Sequence, residues 1–229
     1  MKILADSLNK EKAILLQEII KNSYLKTIDD KIHINLKKNE IYIINNNYKV
    51  PSIISINHNK ILGKKNNSIF LKLFPKKNST ILDCTAGLAR DGYILKSLGF
   101  NVTMIEKNPL LILMIRNFIK KNLISNLTLY HGNSYDFLCQ TKKIYDYVYI
   151  DFMFNKIKTK SLSSKNDEFL KTICNDENNK NMIISKAIKK CKLRVVVKEA
   201  KYSKNEFLKP DYDISTKLIK YNIYNGSCK

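Results

Sequence analysis

The sequence has no apolar run longer than Leu110 to Ile115, which Arg116 closes. A membrane-spanning helix requires roughly 18 apolar residues, so a bundle of membrane helices is excluded. There is no Cys-x-x-Cys pair. Cys84, Cys139, Cys174, Cys191 and Cys228 are odd in number and scattered, which fits reduced thiols better than a disulfide framework or a zinc site. His33, His58 and His131 match no metal-ligand spacing, so no metal is expected. Neither Gly-x-Gly-x-x-Gly nor a Gly-Lys-Ser/Thr phosphate loop occurs, which disfavours dinucleotide and triphosphate sites. Charge at Lys2 and Asp6 precedes any apolar stretch, so no secretory leader is expected and the cytoplasm is the expected location.

Arginine is also scarce, at three (Arg90, Arg116, Arg194) of 41 basic residues, against 20 acids and a net charge of +21. The chain is crowded with Lys, Asn and Ile, which share A/T-rich codons, so genome drift alone can produce the bias. The functional alternative is a polyanionic partner, because so positive a field attracts phosphates. The 229 residues, 44% of them hydrophobic and 10% aromatic, suit one α/β domain with an appendage and exclude a disordered or fibrous chain.

Two patterns divide the chain. Over residues 1–76, Lys31–Leu36, Glu40–Ile44 and Tyr48–Ile56 alternate with period two around Asn45-Asn46-Asn47, which predicts a small antiparallel sheet. A helix carrying Ile14, Leu15, Glu18 and Ile19 at helical spacing precedes it. A basic stretch with an apolar patch, Ile69 to Phe74, ends before Pro75. Over residues 77–229 strands and helices alternate. Strands are expected at Ile81–Cys84, Asn101–Glu106, Leu127–Tyr130, Tyr147–Ile150, Leu193–Lys198 and Lys217–Tyr224. Helices are expected at Arg90–Leu98, Pro109–Lys121 (buried face Leu110, Leu113, Met114, Phe118) and Lys180–Lys190. Repeated βα units predict a parallel, doubly wound, Rossmann-like sheet.

In such a sheet, ligands lie beyond the carboxyl ends of the strands. After the first of these strands comes Asp83-Cys84-Thr85-Ala86-Gly87-Leu88-Ala89-Arg90-Asp91, whose small residues admit either a close ligand or a plain tight turn. Glu106, nineteen residues beyond Gly87, suits both hydroxyls of a ribose, or is an exposed strand-end acid paired with a lysine. Asp151-Phe152-Met153-Phe154 places an acid beside rings at a strand end. The acid can accept from an exocyclic amine while a ring stacks on the base. Alternatively Phe152 and Phe154 fill the core and Asp151 caps a helix. Lys156, Lys158, Lys160 and Lys165 form a basic loop that contacts phosphate or is simply solvated.

Taken together, Asp83-x-Thr85-Ala86-Gly87-Leu88-x-Arg90-Asp91, Glu106-x-Asn108-Pro109, Tyr149-x-Asp151-x-Met153-Phe154 and Arg194-Val195-Val196-Val197-Lys198 resemble the bacterial small-subunit rRNA methyltransferase J family. The likeness spans about residues 30–226 and includes Tyr221 to Gly226. It implies a class I S-adenosylmethionine-dependent fold with a small N-terminal β-rich subdomain. The implied reaction is methylation of the exocyclic N2 of one guanine in 16S rRNA or the small ribosomal subunit. It further implies that Arg90 and Asp91 hold the methionine end of the cofactor. Glu106 and Lys107 would hold its ribose, and Asn133 and Ser134 would flank the adenine. Asp151 would be both a catalytic and a cofactor-side residue, with Phe154 fixing the base. Phe152 replaces a proline of the family loop, Ala89 a glycine and Glu199 a basic residue, and the glycine-rich basic segment appears only as Gly63-Lys64-Lys65-Asn66-Asn67. Cys84 is read as a small packed residue, since an amine attacks directly and needs no thiol. Three other functions are open: an amino-methyltransferase acting on adenine N6 or a protein amide, a drifted RNA-binding or assembly factor, and a nicotinamide-dependent dehydrogenase.

Overall fold

The computed structural model describes residues 2–6, 10–22, 31–37, 40–47, 49, 51–57, 68–152, 180–203 and 207–228. The elements among them are β1 (Lys2–Ala5), α1 (Lys10–Lys21), β2 (Ile32–Lys37), β3 (Glu40–Asn45), β4 (Ser52–Ile54), α2 (Ser68–Leu73), β5 (Thr80–Asp83), α3 (Arg90–Ser97), β6 (Asn101–Glu106), α4 (Pro109–Lys121), β7 (Leu127–His131), α5 (Ser134–Gln140), β8 (Tyr145–Ile150), α6 (Lys180–Ile188), β9 (Cys191–Ala200), β10 (Tyr212–Ser215) and β11 (Ile219–Asn225). They fall into two compact units. One draws on residues 1–57 and 108–123, the other on 58–107, 124–160 and 176–229.

The first unit holds a four-stranded sheet in the order β1-β2-β3-β4. Alternation buries Ile32, Ile34 and Leu36 of β2 with Ile41 and Ile43 of β3, the pattern of a sheet covered on one face. The sheet is not purely antiparallel: β1, for which no strand was expected, pairs parallel to β2. In α1 the buried residues are Leu16 and Ile20, while Ile14 and Leu15 are exposed. Helix α4 belongs to this unit. Asn108 caps it, accepting from Leu110 N at 2.9 Å and Leu111 N at 3.3 Å, and Pro109 opens its first turn. Its buried face is wider than expected. Leu111, Ile112 and Ile115 join Leu110, Met114 and Phe118, whereas Leu113 is only half-buried. Ion pairing of Lys121 with Glu40 and a bond from Lys12 Nζ to Asn117 Oδ1 at 3.3 Å tie α4 to β3 and α1.

The second unit is a seven-stranded sheet ordered β10-β11-β9-β8-β5-β6-β7. Strands β5 to β9 pair in parallel, and β11 runs antiparallel to both β9 and β10. The central strands read as continuous apolar runs because both faces are covered: Val148, Ile150, Val195, Val196 and Val197 are wholly buried. Phe74, just past α2, packs its ring against Phe70, Phe100, Tyr147 and Tyr149 at centroid distances of 5.1–6.4 Å. Gly92 lets α3 approach the sheet closely, since a Cβ there would stand 2.5 Å from Met104 Sδ and 3.2 Å from Asp83 Oδ2. No described helix is long and apolar enough to cross a membrane.

Candidate active site

The sheet reverses direction at its centre. From β5 the chain proceeds outward through β6 to β7, and from β8 it proceeds the other way to β9. A crevice therefore opens beyond the carboxyl ends of β5 and β8, where the crossovers part. Three links fix its walls. Thr85 N donates to Asp83 Oδ1 at 3.0 Å, and Thr85 Oγ1 accepts from Asp151 N at 2.6 Å, so the ends of β5 and β8 are joined. Gly87 N donates to Glu106 Oε2 at 2.8 Å and joins the turn to β6. That turn needs left-handed backbone at Gly87 (φ 54°) and also at Ala89 (φ 57°). A side chain in this region costs about 1 kcal/mol or more, so the alanine at 89 strains the loop.

Glu106 is therefore buried and bonded to the glycine turn, not an exposed strand-end acid. Asp91, in the first turn of α3, accepts from Tyr149 OH at 2.6 Å and from Lys198 Nζ at 3.1 Å. Lys198 also donates to Asp151 Oδ2 at 2.5 Å. Arg90 is exposed at the start of α3. Lys107 is half-buried, and its carbonyl lies 3.2 Å from His131 Nε2. Asn133 caps α5, accepting from Tyr135 N at 2.7 Å, and buried Ser134 donates its hydroxyl to the Cys84 carbonyl. Both side chains thus make structural bonds at the end of β7. Cys84 is buried within the core. The expected ring pair divides. Phe152 is 4% exposed, packed in the core with Phe207 at 5.8 Å, whereas Phe154, the basic loop 156–165 and the segment 63–67 lie outside the described residues.

Asp151 itself keeps 28% of its side chain exposed, as a group that meets a ligand must. Burial pushes its carboxyl up to about 6; Lys198 pulls against this, and Asp91 adds to it. Burial likewise raises Asp83 to about 8, with further upward contributions from Asp91, Asp151 and Glu106. Tyr149 is raised by burial and by Asp91 and Asp151. Four carboxyl groups thus converge in one crevice of a chain whose net charge is +21.

That donor set suits a cationic ligand with vicinal hydroxyls. It repels a pyrophosphate, which argues against a dinucleotide. S-adenosylmethionine, with its sulfonium, α-ammonium and ribose, fits these acids. The folded chain holds the Asp83 proton to a higher pH than the unfolded chain does. Its contribution to stability is therefore complete below about 4 and is lost as the pH rises through about 8. Asp83→Asn keeps the acceptor for Thr85 N, so we expect urea midpoints of the variant to fall less than those of the wild type between pH 5 and 8.5. Equal slopes would contradict a protonated Asp83.

Tyr149 and Lys198 bond to the acids of this crevice; both stand in the motifs that resemble the family, but the sequence alone assigns neither a role. The strand-end rule that picked Asp151 also applies to Lys198, which stands beside it: Ile150 of β8 pairs with Val197 of β9.

A mostly parallel seven-stranded sheet with an antiparallel β11 and a central acidic crevice defines an S-adenosylmethionine-dependent methyltransferase fold. A crystal structure of such a methyltransferase from Neisseria gonorrhoeae superposes with a TM-score of 0.72, covering 100% of this chain and 97% of that one at 19% identity. Residues 20–226 match the family described as "Putative SAM-dependent methyltransferase". The ribosomal RNA small subunit methyltransferase J of Buchnera aphidicola is 31% identical over 70% of each chain. The enzyme of that name from Desulfotalea psychrophila is 29% identical, over 66% of this chain. The chain belongs to the small-subunit rRNA methyltransferase J family of S-adenosylmethionine-dependent methyltransferases. It spans about three-fifths of the length of several curated relatives that it matches, 61% of the Desulfotalea protein among them.

Proposed function

We propose that the chain transfers a methyl group from S-adenosylmethionine to the exocyclic N2 of one guanine in 16S rRNA, free or in the small ribosomal subunit. The observation that carries this reading is the partly exposed Asp151 carboxylate at the end of β8, across the switch point from Glu106 and the Gly87 turn. The cofactor, when bound, supplies an electrophilic methyl on a sulfonium. Glu106 takes the ribose hydroxyls while it holds the Gly87 turn, with Lys107 at its edge. Asp91 and Arg90 meet the ammonium and carboxylate of the methionine end, and Asn133 with Ser134 lies along the adenine edge. Asp151 accepts from the guanine N2–H, which localises a lone pair otherwise delocalised into the ring. With the cofactor bound, that pair would form the nitrogen–carbon bond as the carbon–sulfur bond breaks toward sulfur. The N2 proton leaves to Asp151 Oδ1 and then to water. Phe154 stacks on the base and sets the approach. Residues 1–76 serve as the docking extension for rRNA.

An RNA substrate is further supported by the rim beside the crevice. Past the end of β9, Tyr202 is 72% exposed and adjoins Lys201, whose amide bonds to the carbonyl of exposed Leu218, next to Lys217. An exposed ring among lysines is a stacking platform for a single-stranded base. Tyr202→Ala should raise KM for rRNA roughly 10-fold with kcat within about twofold, because base stacking contributes about 1–3 kcal/mol; an unchanged KM would remove this rim from the interface. The function is tested by calorimetry with S-adenosylmethionine, followed by presenting labelled cofactor to rRNA, DNA and protein. Heat of binding and label in 16S rRNA alone are expected. Absence of heat would identify a drifted RNA-binding factor, and label in DNA or protein a different amino-methyltransferase.

A further inference from the structure

Lys198 stands between the two carboxylates of the crevice, its Nζ 3.1 Å from Asp91 Oδ2 and 2.5 Å from Asp151 Oδ2. All three side chains are only about a quarter exposed or less, and at this depth a charge pair is weakly screened. Asp91 is itself fixed from below by Tyr149 OH, whose ring rests on Phe70 and Phe74. The lysine thus has a defined seat. It is strongly held in its charged form by Asp151 and Asp91, against burial.

The surroundings of Asp151 otherwise oppose its ionisation. Asp83 from β5 and Asp91 from α3 are like charges when ionised, and Tyr149 from β8 and Tyr221 from β11 face it as weak acids. Lys198, from β9, is the cation that acts on it directly. A neutral carboxyl would offer the guanine amine a poorer acceptor and could not take up its proton.

Resting on the methyl-transfer reading, we propose that Lys198 is a positioning residue of the reaction. Its ammonium engages Asp151 Oδ2 and keeps this carboxylate charged, which leaves Oδ1 to receive the substrate amine. Asp91 acts as the second anchor, setting where the ammonium sits and how strongly it acts on Asp151. The acceptor strength of the site is then divided between two acids by one shared lysine.

The test is the titration of Asp151, followed through its carboxyl carbon by NMR on aspartate-labelled protein, together with the pH dependence of kcat/KM. In Lys198→Met the Asp151 midpoint should rise by at least one unit, and Lys198→Arg should return it to near the wild-type value. Asp91→Asn keeps an acceptor for Tyr149 and removes a like charge, so it should move the midpoint down even if the Met variant folds poorly. The acid limb of kcat/KM should follow in each case, so that Lys198→Met loses at least roughly 3-fold more activity at pH 6.5 than at pH 8.5. An unmoved Asp151 midpoint in both Lys198→Met and Asp91→Asn would overturn the proposal. A midpoint that moves while the acid limb stays would instead overturn the role of Asp151 in transfer, so the two failures are distinguishable.

Discussion

Asp151→Ala should lower methyl transfer by roughly 10²-fold or more, the usual cost of removing one group aimed at charge that develops in the transition state. The fold should survive. The bond joining β8 to the glycine turn comes from the Asp151 backbone amide to Thr85 Oγ1, which alanine retains. Lys198 keeps Asp91 as a partner. Asp151→Asn retains an acceptor oxygen but no charge and should fall between alanine and wild type. The sign of the pH effect follows from the carboxyl at about 6. Below that value Asp151 is protonated, and activity declines. As the pH rises through it, kcat/KM increases and then levels. Asp151→Asn should lack that limb. A variant with a wild-type rate, or an asparagine variant with the same acid limb, would remove Asp151 from the chemistry.

The second large effect is expected at Glu106. Glu106 is 8% exposed and its carboxylate already accepts from Gly87 N, so the group that would hold the ribose would also hold the loop beneath the cofactor. A hydrogen bond to a charged group contributes about 1.5–3 kcal/mol, and two hydroxyls would depend on this one. Glu106→Ala should therefore weaken S-adenosylmethionine binding by about 10²-fold or more, read by calorimetry. Glu106→Gln preserves the bond to Gly87 and should lose roughly 10-fold, since neutral acceptors are about half as strong. Equal losses in the two variants would mean that charge is irrelevant there. No loss in either would place the ribose elsewhere.

Much of the second unit was legible because its central strands are buried on both faces. Asn101–Glu106 lies where its apolar run puts it, and in the first unit Pro109–Lys121 begins where Pro109 signals a first turn. The elements that escaped are those with weak signals. The edge strand β10 is four residues long and mostly exposed, β1 is four residues at the start of the chain, and α5 is seven residues. For α5, Asn133 was read as a ligand contact when its side chain also supplied the cap. The buried face of α4 was drawn too narrow because helical spacing describes a helix covered on one side, and this one is buried over most of its circumference. At the site, the strand-end rule found Asp151 and Glu106. It did not reveal that Asp91 faces Lys198 and Tyr149, because those contacts join residues 107 and 58 positions apart. Local sequence carries no trace of such pairings.

Nucleoside analysis of 16S rRNA tests the central claim most directly. RNA from a strain lacking this protein, incubated with the purified chain and methyl-labelled S-adenosylmethionine, should be digested and its labelled nucleoside identified. The account predicts N2-methylguanosine at a single position, absent when Asp151→Ala replaces the wild type. Label in another nucleoside, or equal label with the variant, would contradict it.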